Sequence, residues 1–192
     1  MLGTAVVSEA AEKAHMAETW YYDTRGRITL NLKGGVQNLW KGIDFFGFID
    51  VESSKNEENP ATPYSEIRFS RELGKGWSIA TEYNRNLNRS EGATRFGFIY
   101  TPNLGIDGLI VSARLYPVAD NSGAQAVLFA KKSFARSYLE SVLDINEGGK
   151  VFSETQFGRE ISPGTHWVTE IRYNDFREDD FGIATGLEFK LK

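Results

Sequence analysis

From Trp20 onward, apolar and polar side chains alternate with period two, interrupted at short intervals by Gly, Pro, Asn and Asp. Alternation of that period puts successive side chains on opposite faces of a strand, whereas a helix would repeat every three to four residues. The pattern predicts strands over 27–33, 43–53, 64–73, 77–87, 93–101, 108–116, 124–132, 138–145, 151–161, 165–174 and 181–191. The segments between them carry turn chemistry: "GKG" at 74–76, "DNSG" at 120–123, "NEGG" at 146–149 and "SPG" at 162–164. Most are too short to hold a crossover helix, so consecutive strands are expected to pair as antiparallel hairpins in an up-and-down meander.

Counted back from the C-terminus, the connections fall into two alternating sets. One contains "ESSKNEENPATP", "RNLNRSEG" and "NDFREDD"; the other contains "GKG", "SFARS" and "SPG", with "TPNLGID" a longer exception. Long polar loops at one end and short turns at the other are characteristic of outer-membrane barrels, which in bacteria also have even strand numbers. Eleven strands would break that parity. A short further strand within "TWYYDTRG" brings the expectation to twelve, with ten as the alternative if one assignment fails.

The two faces differ sharply. One face carries Ile28, Leu30, Leu32; Trp77, Ile79, Tyr83; Phe96, Phe98, Tyr100; Leu109, Val111, Leu115; Trp167, Ile171, Tyr173; and Phe181, Ile183, Leu187, Phe189, Leu191. The other carries Arg27, Asp44, Asp50, Glu82, Arg95, Arg114, Glu140, Asp144, Glu170, Arg172, Glu188 and Lys190, with small residues between them. A soluble barrel or sandwich would turn the first set inward; a membrane barrel would turn it to lipid and line its interior with the second. Trp77, Tyr83, Tyr100, Trp167 and Tyr173 lie toward strand ends on the apolar face, where interfacial girdles belong. The final strand, "TGLEFKLK", spaces Gly186, Phe189 and Leu191 in the manner of a C-terminal barrel-assembly signal, although it ends on Lys192 and not on an aromatic residue.

Composition narrows the classes. At 192 residues the chain suits one domain. Its net charge of -4 and the absence of any basic run argue against nucleic-acid binding. There is no cysteine, hence no disulfide framework. The uncharged run at 96–106 contains a proline and glycines and is too short for a spanning helix, which needs about 20 apolar residues; a barrel strand needs only about 9 to 11. "MLGTAVVSEAAEKAHM" lacks the basic start and small-residue cleavage site of a signal peptide. Residues 1–16 are therefore expected to be a flexible leader or a cloning remnant, with the barrel over 17–192.

The stretch "GIDFFGFIDV" at 42–51, followed after a polar loop by "PYSEIRFSREL", resembles the nucleoside-specific channel-forming porins of the Tsx-like outer-membrane family. The matching positions are Asp44, Phe45, Phe46, Gly47, Phe48, Ile49 and Asp50, then Arg68, Phe69 and Ser70. Phe46 and Phe48 stand where tyrosines are common in that family, and the chain is shorter than typical members. The resemblance implies that Ile43, Phe45, Ile49 and Val51 face lipid while Asp44, Phe46, Phe48 and Asp50 face a lumen. There, aromatic rings beside carboxylates and arginines could stack against a base and accept hydrogen bonds from a ribose. The alternative is that these groups simply fill a narrow barrel. Gly47 is expected to permit close packing and not to contact a ligand.

Enzyme signatures are missing. His15 and His166 are the only histidines, too few for a histidine-rich zinc site, and no nucleotide loop or nucleophile elbow occurs. His166 reads as an ordinary polar contact and "REDD" at 177–180 as a solvated loop; "DINEGG" lacks the closing glutamate of a calcium loop. Glu82 and Glu170 could form an acid/base pair only if the fold brought them together. The expectation is an all-β, antiparallel, up-and-down transmembrane β-barrel in the bacterial outer membrane, with the lipid bilayer as partner, a monomer favoured, no cofactor and no metal. It would be a passive pore for small polar solutes, nucleosides first, lined by Asp44, Phe46, Phe48, Asp50, Arg68, Glu82, Arg95 and Arg114. A soluble β-barrel ligand carrier and a plugged structural membrane barrel are the alternatives.

Overall fold

Antiparallel pairing runs through the whole sheet of the computed structural model, which describes residues 14–53, 63–86, 92–120, 122–176 and 180–191. The strands are β1 (Ala14–Asp23), β2 (Ile28–Trp40), β3 (Ile43–Glu52), β4 (Tyr64–Gly74), β5 (Trp77–Asn86), β6 (Gly92–Tyr100), β7 (Leu109–Ala119), β8 (Gln125–Ser133), β9 (Ser137–Asn146), β10 (Val151–Ser162), β11 (Thr165–Asn174) and β12 (Phe181–Leu191). Each pairs with its neighbours in sequence, and β1 closes onto β12 with Trp20 opposite Leu187 and Tyr21 opposite Gly186. Closure leaves no open edge, so the backbone of every strand finds its partner within the sheet. The fold is a twelve-stranded, up-and-down closed barrel.

The strand limits depart from the expected ones by more than a single residue in three places. β1 begins at Ala14, so residues 14–16 belong to the barrel; residues 1–13 lie outside the described residues. β2 continues past the expected limit at Lys33, through "GGVQNLW", to Trp40. Gly34 and Gly35 let β1 and β3 approach closely, since a Cβ on Gly35 would lie 2.9 Å from the Phe45 carbonyl oxygen and 2.8 Å from the His15 ring. β7 runs past Pro117 to Ala119, alongside a register shift between Phe96 and Phe98 on β6, so the proline occupies a bulged part of the ladder.

The apolar face is outside. Trp77, Ile79, Phe96, Phe98, Leu115, Trp167, Ile171, Phe181 and Ile183 are exposed, whereas Glu82, Arg95, Glu170 and Glu188 are buried, Glu82 and Glu188 at 2% exposure. In water that arrangement would oppose the hydrophobic effect at every strand, and in hydrocarbon it satisfies it. Trp77 and Tyr100 pack with ring centroids 4.6 Å apart at the end that carries the short 41–42 and 75–76 turns. Tyr22, Tyr83 and Phe181 mark the opposite end. That end bears the 53–63, 87–91 and 175–180 connections, much of which falls outside the described residues, the first three residues of "REDD" included. The exposed Asp175 carboxylate there accepts hydrogen bonds from the Tyr173 hydroxyl and, at 3.1 Å, from the Val151 amide, which hold its pKa below the ordinary carboxylate range.

Candidate functional site

The inward-facing positions enclose a cavity of about 2280 Å³ that is lined from one end of the barrel to the other, from Gln37 and Thr101 by the short turns to Asn146 and Asn174 by the long loops. Alternation on each strand decides what enters it. On β3, Asp44, Phe46, Phe48, Asp50 and Glu52 point in; on β4, Tyr64, Glu66, Arg68 and Ser70 do so. Cross-strand register then places Phe46 opposite Arg68 and Phe48 opposite Glu66.

Three elements can be distinguished in the lining. The first is an aromatic ladder on β3 and β4. The Phe46 and Phe48 rings lie 6.2 Å apart, the Phe48 and Tyr64 rings 5.7 Å apart, and the Arg68 guanidinium sits over Phe46 at 4.7 Å. The second is an arginine cluster from four adjacent strands, β4 to β7. Glu82 receives Arg95 at 3.4 Å, Arg114 at 3.7 Å and Arg68 at 3.8 Å, while Glu66 receives Arg68 at 3.3 Å and Arg114 at 3.8 Å. Three cations converge on two carboxylates, so this wall keeps a surplus of positive charge. The third is an acidic wall from β9 to β12, where Glu140, Asp144, Glu154, Glu170 and Glu188 outnumber Arg172 and Lys190. Arg172 meets Glu154 at 2.6 Å, Glu170 at 2.8 Å and, reaching toward β3, Glu52 at 3.9 Å. The lumen is thus polarised across its width, and in such a low-dielectric, part-wet space these charges are screened less than on an open surface.

All eight residues expected to line a pore face this cavity, but they do not act as one group. Arg68, Glu82, Arg95 and Arg114 are brought together. Phe46 and Phe48 join them through Arg68. Asp50 accepts a hydrogen bond from the Asn31 amide at 2.6 Å on the neighbouring strand. Asp44 lies apart, at the short-turn end, where its carboxylate accepts the Asn38 backbone amide at 2.8 Å and fixes the β2–β3 turn. His166 is buried beside Glu188 and Lys190, its Nε2 3.3 Å from the lysine Nζ, and Tyr138 packs near its ring. Glu82 and Glu170 sit on β5 and β11, in different walls. Among the described residues no cluster of metal-binding side chains occurs.

Sequence reasoning missed Lys33, Tyr64, Glu66, Lys131 and Glu154. A signal existed for three of them, which share parity with residues placed on the polar face: Tyr64 and Glu66 lie four and two before Arg68, and Lys33 lies six after Arg27; the segments holding Lys131 and Glu154 contain no residue assigned to that face.

No family model matches the chain, and no curated protein matches it either. Solved structures do. The KdgM porin, in complex with disordered oligogalacturonate, superposes with a TM-score of 0.61 at 10% identity, covering 93% of this chain and 99% of its own. The NanC porin gives 0.62 at 10% identity, covering 92% and 100%. Outer membrane phospholipase A from Escherichia coli gives 0.64 at 11% identity, covering 94% and 90%. At such identities the likeness establishes the fold, that of the twelve-stranded outer-membrane barrels.

Proposed function

We propose that the chain is an outer-membrane channel through which small polar solutes diffuse passively, that nucleosides are its leading solutes, and that it catalyses no reaction. The reading is carried by one observation: the aromatic ladder of Phe46, Phe48 and Tyr64 faces a continuous cavity of about 2280 Å³ with Arg68 beside it. Flat rings give a base a stacking surface of low directional demand, and the flanking carboxylates and guanidinium offer partners to ribose hydroxyls. Binding of that kind is weak enough to let the solute leave, as conduction requires. The resemblance of 42–51 and 63–73 to nucleoside channels supports the same solute.

Nucleoside block of single-channel current in planar bilayers tests it. Phe46→Ala and Phe48→Ala should each weaken the block roughly tenfold, since stacking of one base on one aromatic ring is worth about 1–3 kcal/mol, while folding and open-channel current persist. Unchanged block in both variants removes the ladder from the site. A second reading, an acidic sugar as solute, is favoured by the convergence of Arg68, Arg95 and Arg114 on only two carboxylates. Block by galacturonate chains with no block by nucleosides would select it.

A further inference from the structure

One ion-pair chain in the lumen does not follow the wall. Lys33 of β2 lies 3.7 Å from Glu140 of β9. Between these strands on the shorter arc stand β1, β12, β11 and β10, so the pair joins nearly opposite sides of the barrel. Lys33 also lies 3.7 Å from Glu188 of β12, and Glu140 accepts a hydrogen bond from Lys131 of β8 at 2.6 Å. A line of alternating charge therefore runs from β8 across to β12.

The two sides of that line are unlike. On the shorter arc Glu154, Glu170 and Arg172 of the acidic wall line the cavity, with Thr19, Val168 and Ala184 buried beside them. On the longer arc lie the aromatic ladder and the arginine cluster, facing the cavity. Lys33 is the direct cross-strand neighbour of Phe48, so a solute resting on the ladder meets this lysine and Glu140 at its edge. Both side chains are about one-quarter exposed, wet enough to exchange partners.

We propose that Lys33 and Glu140 form a charged crossbar that spans the lumen beside the aromatic ladder and sets which ions and solutes pass. The inference rests on the channel reading above. The pair is a long lysine reaching a glutamate that is already held by Lys131, so losing either member changes both the width of the passage and the sign of the charge at its edge. Removing Lys33 exposes Glu140 and Glu188 to the passage and favours cations. Removing Glu140 leaves Lys33 and Lys131 facing it and favours anions.

The test uses the full chain in planar bilayers with a salt gradient, comparing Lys33→Met and Glu140→Gln with the unaltered protein. The cation-to-anion permeability ratio should change roughly twofold in opposite senses in the two variants, most clearly at low ionic strength where screening is weak. A wild type that conducts, with both variants keeping its reversal potential, overturns the crossbar while leaving the channel reading intact. Absence of discrete steps in all three proteins overturns the channel reading itself, whereas steps only in the variants support a crossbar that closes the pore. Because the chain has no cysteine, Lys33→Cys with Glu140→Cys gives a second measurement that does not depend on either single variant inserting well. A short bismaleimide should join them within one folded barrel and lower its conductance, and failure to link in folded barrels overturns the proposed geometry.

Discussion

At the scale of the residue, the tightest constraints fall on small side chains and not on the charges that dominate the lumen. Gly186 stands opposite Tyr21 where β12 closes onto β1. A Cβ there would collide with the Trp20 carbonyl, with its carbon only 2.7 Å away. Backbone cannot rotate aside as a side chain can, so Gly186→Ala should loosen barrel closure at a cost of about 1–3 kcal/mol, the usual range for overpacking. A lowered denaturation midpoint in detergent, and a lower temperature for conversion from the compact to the unfolded band on a gel, would show it; an unaltered midpoint would mean that closure has slack the geometry does not reveal. The spacing of Gly186, Phe189 and Leu191 is visible in the sequence, but the reason for the glycine is not, because the atom it must avoid belongs to β1, more than 160 residues earlier. The same limit governs the lumen. Alternation alone identifies Arg68, Glu82, Arg95 and Arg114 as sharing an inward face, since Arg68 lies between Ile67 and Phe69, Glu82 beside Tyr83, Arg95 beside Phe96 and Arg114 between Ala113 and Leu115. It cannot show that three of them converge on Glu82, or that Lys33 reaches Glu140, because those meetings depend on how far the sheet curls before it closes.

At the scale of the element, strands with clean alternation were legible nearly to the residue: β11 and β12 have the limits that period two assigns, and β3 and β5 differ by a single position. The failures share a cause. In β2 beyond Lys33 and in β7 beyond Tyr116, glycine or proline replaces the alternating pattern, and the neighbouring strands' hydrogen bonds carry the ladder through where local preference would end it. Turns were legible through their chemistry. Lys41–Gly42 and Lys75–Gly76 both place two consecutive residues at positive φ, 49° and 80° in the first and 53° and 79° in the second. That is the geometry of the two-residue hairpin whose twist suits the flanking strands. Lysine is a poor occupant of the first position, since the left-handed region crowds its Cβ. Lys75→Asn should therefore stabilise the β4–β5 hairpin by up to about 1 kcal/mol, the scale of that crowding for an L-residue. Equilibrium unfolding in detergent checks it, and a neutral or destabilising result would show that Lys75 makes up the loss through contacts at the membrane surface.

At the scale of the whole molecule, the barrel is held by an inversion: ion pairs and hydrogen bonds knit the interior, and the apolar groups that would normally form a core are left outside for the solvent to accommodate. Few of the interior pairs would count for much in isolation, but in a closed sheet they cross-link strands distant in sequence, as Arg172 links β11 to β3. The exterior, in turn, is apolar between two aromatic ends. From Trp77 to Tyr83 on β5, and from Trp167 to Tyr173 on β11, the strand rises about 20 Å at ~3.3 Å per residue, which at a barrel-strand tilt of about 40° is roughly 15 Å along the membrane normal and fits within the roughly 25 Å apolar band of outer-membrane barrels. All four tryptophans, Trp20, Trp40, Trp77 and Trp167, are exposed on this outer surface. The protein reconstituted in vesicles of brominated phospholipid should therefore lose about half or more of its tryptophan fluorescence relative to the same vesicles without bromine, as expected for indoles at the acyl and interfacial region. Iodide in the aqueous phase should quench it far less. The opposite outcome, emission untouched by brominated chains but accessible to iodide, would mean that the outer face meets water, and with it the lumen and its crossbar would lose their membrane setting.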